Sequence, residues 1–221
     1  MIPINILSKM GIYELKIPQP AKAKFKVNVK VEVTVIVIDS VALINRNIAD
    51  LRSLLQRPVV GFDVKFGIDG HKTDTKIAKL LILYVEDRCL IIQLDRLASV
   101  PDCLKDFLGD ETICFVGTYM EDKTDIEDKV KGFLRYDILC RTGVEVGDLV
   151  SRVLKTEKFS TLGLASLCYQ FGLYPVTITG VPETTPDRNA RFFTDVEVEY
   201  AIFQARSCYR IGNLMLSKLN L

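Results

Sequence analysis

Tryptophan is absent from the 221 residues, and histidine occurs once, as His71. A Ser-His-Asp or Cys-His triad would have to run through that one imidazole, and a metal site built on several histidines is excluded. His71 stands beside Lys72 in a loop-like stretch and reads as a solvated residue. Long hydrophobic runs are missing too: nothing approaches the ~18 to 20 consecutive apolar residues of a membrane span. Met1 to Met10 has neither the basic flank nor the small-residue cleavage site of a signal peptide, so the expectation is a soluble intracellular protein, cytoplasmic or nuclear, with no membrane contact. Neither sign of charge dominates. With 29 Lys plus Arg against 28 acidic residues, the net is +1 and the basic surplus of a dedicated phosphate-backbone binder is lacking. Any nucleic-acid site must therefore be a local patch. The six cysteines (Cys89, Cys103, Cys114, Cys140, Cys168, Cys208) form no CxxC pair and are expected as reduced thiols rather than disulfides or a zinc site.

What is present is ordinary globular composition, 48% apolar and 26% charged, enough to build a core and to exclude a disordered chain. Residues 1–57 read as an extension packed on a main domain of residues 58–221. From Ala21 to Val35 the odd positions are Ala, Phe and Val while the even ones are Lys, Asn, Glu and Thr, a period of two that predicts a long strand with one apolar face. Such a face should be covered, either by a hairpin with the segment before Pro18 or by another copy of the chain. Its lysines fit a solvated strand face better than a phosphate contact. Ser40 offers a helix cap, and Ile44, Ile48, Leu51, Leu54 and Leu55 recur at helical spacing until Arg57-Pro58.

After Pro58 strands and helices alternate. Strands are predicted at Val59 to Phe66, Ile77 to Val85 and Cys89 to Leu94, the last two joined by a turn at Glu86-Asp87-Arg88. A short helix from Pro101 to Leu108 closes at Gly109, a buried strand covers Ile113 to Gly117, and a charged helix covers roughly Glu121 to Leu134. A strand at Tyr136 to Leu139, helices at Val146 to Leu154 and Thr161 to Phe171, a Pro-containing loop and a last helix from Thr194 to Leu219 complete the reading, with Thr194 and Glu197 as a capping box. The fold class is α/β, a mixed sheet layered by helices.

Within VVGFDVKF, alternation sends Val60, Phe62, Val64 and Phe66 to one face of the strand and Gly61, Asp63 and Lys65 to the other. A carboxylate on a buried strand is costly unless paired or metal-bound, although a solvated strand end would explain it as well. On the last helix Tyr200 and Gln204 are four apart and share a face. Asp195, Glu197 and Glu199 before them fit an acidic first turn favoured by the helix dipole.

Taken in order, these segments resemble the Werner-syndrome-type 3′-to-5′ exonuclease family, of the Asp-Glu-Asp-Asp kind with a tyrosine, and in particular small plant members such as the RISC-interacting clearing exonucleases. The resemblance runs from about Val59 to Leu214. VVGFDVKF is similar to the first motif, and RCLIIQLDRLASVPDCLKDFLGDETICFVG to the segment leading into the second. STLGLASLCYQFGLY resembles the leucine-rich helix, and DRNARFFTDVEVEYAIFQA the third motif, with Arg191 and Tyr200-Ala201 in place. The resemblance implies a ribonuclease-H-like fold and four carboxylates holding two divalent ions roughly 3.5 to 4 Å apart, with the tyrosine orienting the attacking water.

Set against that pattern, Asp63 and Tyr200 match, Lys65 stands at the second carboxylate position and Gln204 at the fourth. Counted without gaps from Gly117 the third is Lys123; a two-residue insertion brings in Asp125, which the helical phase of Ile126 and Val130 favours. The four positions sum to +1, or to −1 with Asp125 in place of Lys123, where two magnesium ions ask for about −4. No metal is expected, with Asp63 at most a single ligand, and Lys65 reads as replacing the metal's charge. Three readings stay open. The first is a catalytically dead or strongly weakened homologue that binds single-stranded RNA or DNA, through Lys65 and Arg191. The second is an active Mg²⁺- or Mn²⁺-dependent nuclease with a relocated set drawn from Asp63, Asp69, Asp122 and Asp125. The third is a protein-interaction scaffold with a protein partner. A homo-oligomer is expected.

Overall fold

A computed structural model describes residues 2–3, 11–17, 29–68, 76–118, 140–173, 192–193 and 195–219. Seven strands in these residues make one sheet: β2 (Gly11–Ile17), β3 (Val29–Ile38), β4 (Val59–Ile68), β5 (Lys76–Val85), β6 (Arg88–Gln93), β7 (Cys114–Gly117) and β8 (Gly143–Glu145). Their spatial order is β2-β3-β6-β5-β4-β7-β8. β2/β3, β6/β5 and β5/β4 pair antiparallel; β3/β6, β4/β7 and β7/β8 pair parallel. Two short segments, β1 (Ile2–Pro3) and β9 (Phe192–Phe193), pair with each other apart from the main sheet.

The helices are α1 (Val41–Ser53), α2 (Asp102–Leu108), α3 (Val146–Leu154), α4 (Leu164–Gln170) and α5 (Asp195–Lys218). They cover both faces of the sheet. Phe115 lies in register with Val60, and its ring meets Phe62 and the α2 residue Phe107, so α2 and the α1 packed beside it lie over the Val60 face. On the opposite face α5 lies along β4, β5 and β7, with α3 and α4 beside it. β5, covered on both sides, is buried from Leu80 through Val85, as an unbroken apolar run requires. This is the α/β layered sheet expected from the sequence.

Several boundaries differ. The strand expected from Ala21 is seen from Val29 to Ile38, and its partner is the hairpin strand β2; residues 21–28 lie outside those described. β3 continues past Val35 because Ile36 to Ile38 pair with β6 in the interior of the sheet. The helix expected from Thr161 to Phe171 begins later than predicted. A 3₁₀ turn spans Glu157–Thr161, and α4 starts only at Leu164, after an extended Gly163. The Ser160 and Thr161 hydroxyls donate to the carbonyls of Glu157 and Lys158, which anchors the tight turn. Ser40 stands at the N-cap of α1, yet its side chain makes no capping hydrogen bond. The helix predicted for 121–134 and the strand predicted for 136–139 lie outside the described residues. Among the described residues, no helix is long and apolar enough to cross a membrane.

Candidate functional site

Two glycines set how closely α5 approaches the sheet. A Cβ on Gly61 would lie 2.0 Å from the Ala205 carbonyl oxygen and 2.9 Å from Tyr209 Cβ, so only glycine lets the helix backbone rest on β4 here. Gly212, nearly two turns further along, sits against the methyls of Val59 and Val116, each 2.9 Å from where its own Cβ would be. This seating brings Tyr200 and Gln204, one turn apart on α5, beside Asp63 and Lys65, two apart on β4. Immediately after Lys65 the register of β4 against β5 shifts, the local irregularity that often adjoins a functional site.

The four side chains make one cluster. Asp63 is buried, and its Oδ1 accepts a hydrogen bond from the Val64 N–H at 2.8 Å. Its Oδ2 lies 2.7 Å from Lys65 Nζ, a contact that is an ion pair without the alignment of a regular hydrogen bond. The ammonium also donates to Gln204 Oε1 at 2.6 Å and stands 5.8 Å from the centre of the Tyr200 ring. Lysine has three donors and no acceptor, so a carboxylate, an amide oxygen and an aromatic face are all suited to it. Tyr200 is half open to solvent at the rim, 40% exposed.

Beneath this cluster the environment is dry. The Cys208 thiol is fully buried; burial first, then the negative charge of Asp63, hold its pKa well above the usual thiol range. Cys89 on β6 is shifted in the same direction by the same two causes. Neither thiol is a nucleophile in this state.

One further carboxylate, in the row of Phe62 rather than of Asp63, was not singled out from the sequence. Register places Gly117 beside Phe62 and Glu145 beside Gly117. The Glu145 carboxylate accepts from the N–H groups of Gly147 and Asp148 and so caps α3. The signal available was its place immediately before a predicted helix, although Asp or Ser is the commoner cap there. Also unanticipated is the Tyr209 hydroxyl, which donates to Glu86. Glu86 holds a left-handed φ of 55° in the two-residue turn between β5 and β6.

Of the residues chosen from sequence, Asp63, Lys65, Tyr200 and Gln204 are brought together. Lys123, Asp125 and Arg191, with Asp69, Asp122 and His71, lie outside the described residues, as do the side chains of Asp195, Glu197 and Glu199. A two-ion centre does not fit the groups that are described. The cluster holds one carboxylate, already faced by an ammonium, and no three His, Cys, Asp or Glu among the described residues are grouped to hold a metal.

No protein-family model matches the chain, and no curated protein does. Among solved structures, the chain is similar to the Aedes aegypti Nibbler EXO domain, with 14% identity over 84% of this chain and 88% of that one and a TM-score of 0.61. It also aligns with the EXD2 exonuclease domain soaked in Mg and GMP, at 23% identity over 84% of this chain and 87% of that one, with a TM-score of 0.45. The same domain soaked in Mn aligns at 23% identity over 84% and 88%, again at 0.45. The likeness to the Nibbler domain, together with the strand order and the helices on both faces, identifies the fold as ribonuclease-H-like.

Proposed function

We propose that this chain is a 3′-to-5′ exonuclease-family protein of the Werner-syndrome type that binds single-stranded nucleic acid and is catalytically silent or strongly weakened. The observation that carries the reading is the Lys65 ammonium lodged between Asp63 Oδ2 and Gln204 Oε1, at 2.7 and 2.6 Å. By the family resemblance, that is where two carboxylates would face a divalent ion. An ammonium on a stem cancels the attraction of Asp63 for a metal and cannot generate a hydroxide nucleophile. Gln204, neutral and turned toward Lys65, completes a charge-balanced site that needs no exogenous cation.

The same geometry suits binding. Tyr200, half exposed beside the ammonium, offers a ring on which a terminal base can stack, and base–aromatic stacking contributes ~1 to 3 kcal/mol per base. Arg191, by resemblance, would add a phosphate contact. Residues 1–57 act in this reading as an extension of the 58–221 domain, which β3 supports by pairing with β6.

The test is a nuclease assay with Mg²⁺ and with Mn²⁺ on labelled single-stranded RNA and DNA, beside an active relative, with binding followed by fluorescence anisotropy. Saturable binding that weakens on Tyr200→Ala, with no cleavage, is the expected result. Cleavage at a rate near that of the active relative would sink the proposal. Absence of both binding and cleavage would hand the site to the scaffold reading.

A further inference from the structure

The depth at which each charge of the cluster sits has a chemical meaning. The Asp63 side chain is 8% exposed and the Lys65 side chain 22%, so the carboxylate lies behind and the ammonium nearer to solvent. Tyr200, at the rim, is 40% exposed. An incoming ligand therefore meets a cation before it meets an anion. Together Asp63, Lys65 and the neutral Gln204 carry no net charge, whereas carboxylates in the same positions without their metal ions would repel an anion.

An ammonium has three N–H donors and no acceptor. One donates to Gln204 Oε1 at 2.6 Å, and Asp63 Oδ2, an ion-pair partner at 2.7 Å, engages at most a second. The remaining donor suits an anionic oxygen, and a charge-assisted hydrogen bond of this kind is stronger than a neutral one. In two-ion phosphoryl chemistry the metals clamp the oxygens around phosphorus, so a positive group in the metals' place faces a phosphate. A phosphate at the end of a strand carries about −1.5 to −2 charges at pH 7 and three acceptor oxygens, more than a phosphate inside the strand offers. The Tyr200 ring centre lies 5.8 Å from Nζ, close enough for one nucleotide to engage both, its base against the ring and its terminal phosphate on the ammonium.

We infer that the Asp63–Lys65–Gln204 cluster with Tyr200 recognises a terminal phosphomonoester on a single strand, so that ends bearing a 3′-phosphate are held more tightly than ends bearing a 3′-hydroxyl, without any divalent ion. The inference rests on the proposed exonuclease-family function, which supplies the 3′ end; the ammonium, its exposure and its two partners supply the phosphate. Lys65 thereby does for a bound end what metal ions do for a reacting one.

Fluorescence anisotropy on the full chain in EDTA tests it, with one internally labelled single strand ending in a 3′-hydroxyl, in a 3′-phosphate, or in a 3′-hydroxyl with a 5′-phosphate. The 3′-phosphate strand is expected to bind about tenfold more tightly than the other two, and added Mg²⁺ should not increase the difference. Gln204→Glu keeps an acceptor for Lys65 but gives the cluster a net negative charge, and should bring the 3′-phosphate and 3′-hydroxyl strands to within about twofold of each other. The double variant Asp63→Asn/Lys65→Met removes both charges without leaving either unpaired and should do the same, which keeps the test open if the first variant folds poorly. Inorganic phosphate, which has no base for Tyr200, should displace the 3′-phosphate strand only in large excess; displacement at equal concentration would mean a site for free anions and overturn the inference. So would a 5′-phosphate that gains as much as a 3′-phosphate, a gain that needs Mg²⁺, or a gain that survives in the variants. Binding of all three strands with equal affinity sinks this inference alone, whereas binding of none sinks the nucleic-acid reading and this inference with it.

Discussion

Lys65 joins the cluster on β4 and α5, pairing with Asp63 and donating to Gln204. With Asp63 buried and its Oδ2 facing the ammonium, removing Lys65 leaves an unpaired carboxylate in a dry setting. Lys65→Ala should cost about 3 kcal/mol in urea unfolding, at the low end for a broken buried pair because Lys65 is partly solvated. Lys65→Glu combined with Gln204→Asp should create Mn²⁺ binding detectable by calorimetry or electron paramagnetic resonance, and neither single change should, since each alone leaves too little negative charge. Tyr209 gives the pH dependence. Burial first, then Glu86, push its hydroxyl up to about 12, above the unfolded value of 10.0. A raised phenol contributes stability that is fully present below the unfolded value and lost as pH rises through the folded one. The melting temperature should therefore fall more steeply between pH 10 and about 12 in the wild type than in Tyr209→Phe, as followed by circular dichroism. At this scale the sequence made Asp63, Lys65, Tyr200 and Gln204 visible because spacings of two and four map directly onto strand and helix faces. It hid Glu145 and Tyr209, whose partners depend on turns and caps that no periodicity reports.

Among elements, the contact of α5 with β4 governs the site. Gly61→Ala drives a methyl into the Ala205 carbonyl, backbone against backbone, and should destabilise by more than ~3 kcal/mol while moving Gln204 off Lys65. Gly212→Ala meets only valine methyls and should cost about 1 to 2 kcal/mol. Chemical denaturation of the two variants checks the order. Element positions were legible wherever an apolar run was long, as in β5, and poorly legible at ends. Periodicity continued through Leu162-Gly163 because the flanking apolar residues keep helical spacing there, whereas the backbone turns at Gly163.

For the whole molecule, the near-zero net charge limits what a nucleic acid can gain from it. If about two or three phosphates are neutralised, the single-strand affinity should fall with salt at a log–log slope of only about −1.4 to −2.1, measurable by anisotropy across a salt series. A much steeper slope would require a basic surface that the composition disfavours. The layered α/β architecture could be read from the order of strands and helices, since parallel neighbours such as β4 and β7 need the intervening α2 crossover. The third carboxylate position that the family resemblance implies could not be assigned from sequence, because Lys123 and Asp125 differ only by a two-residue insertion after Gly117.

The seating of α5 on Gly61 also has a consequence for biosynthesis. Every described strand of the main sheet is translated before residue 195, so a nascent chain can pair those strands while the Gly61 face still lacks its cover. Val59 and Val116, buried beneath α5 in the finished protein, then stand open to water and to other chains. A chain stopped after residue 194 should aggregate or be held by chaperones, and supplying 195–221 as a separate peptide should recover soluble material. Docking of α5, rather than strand pairing, is then the event that removes this hydrophobic surface from reach of other chains.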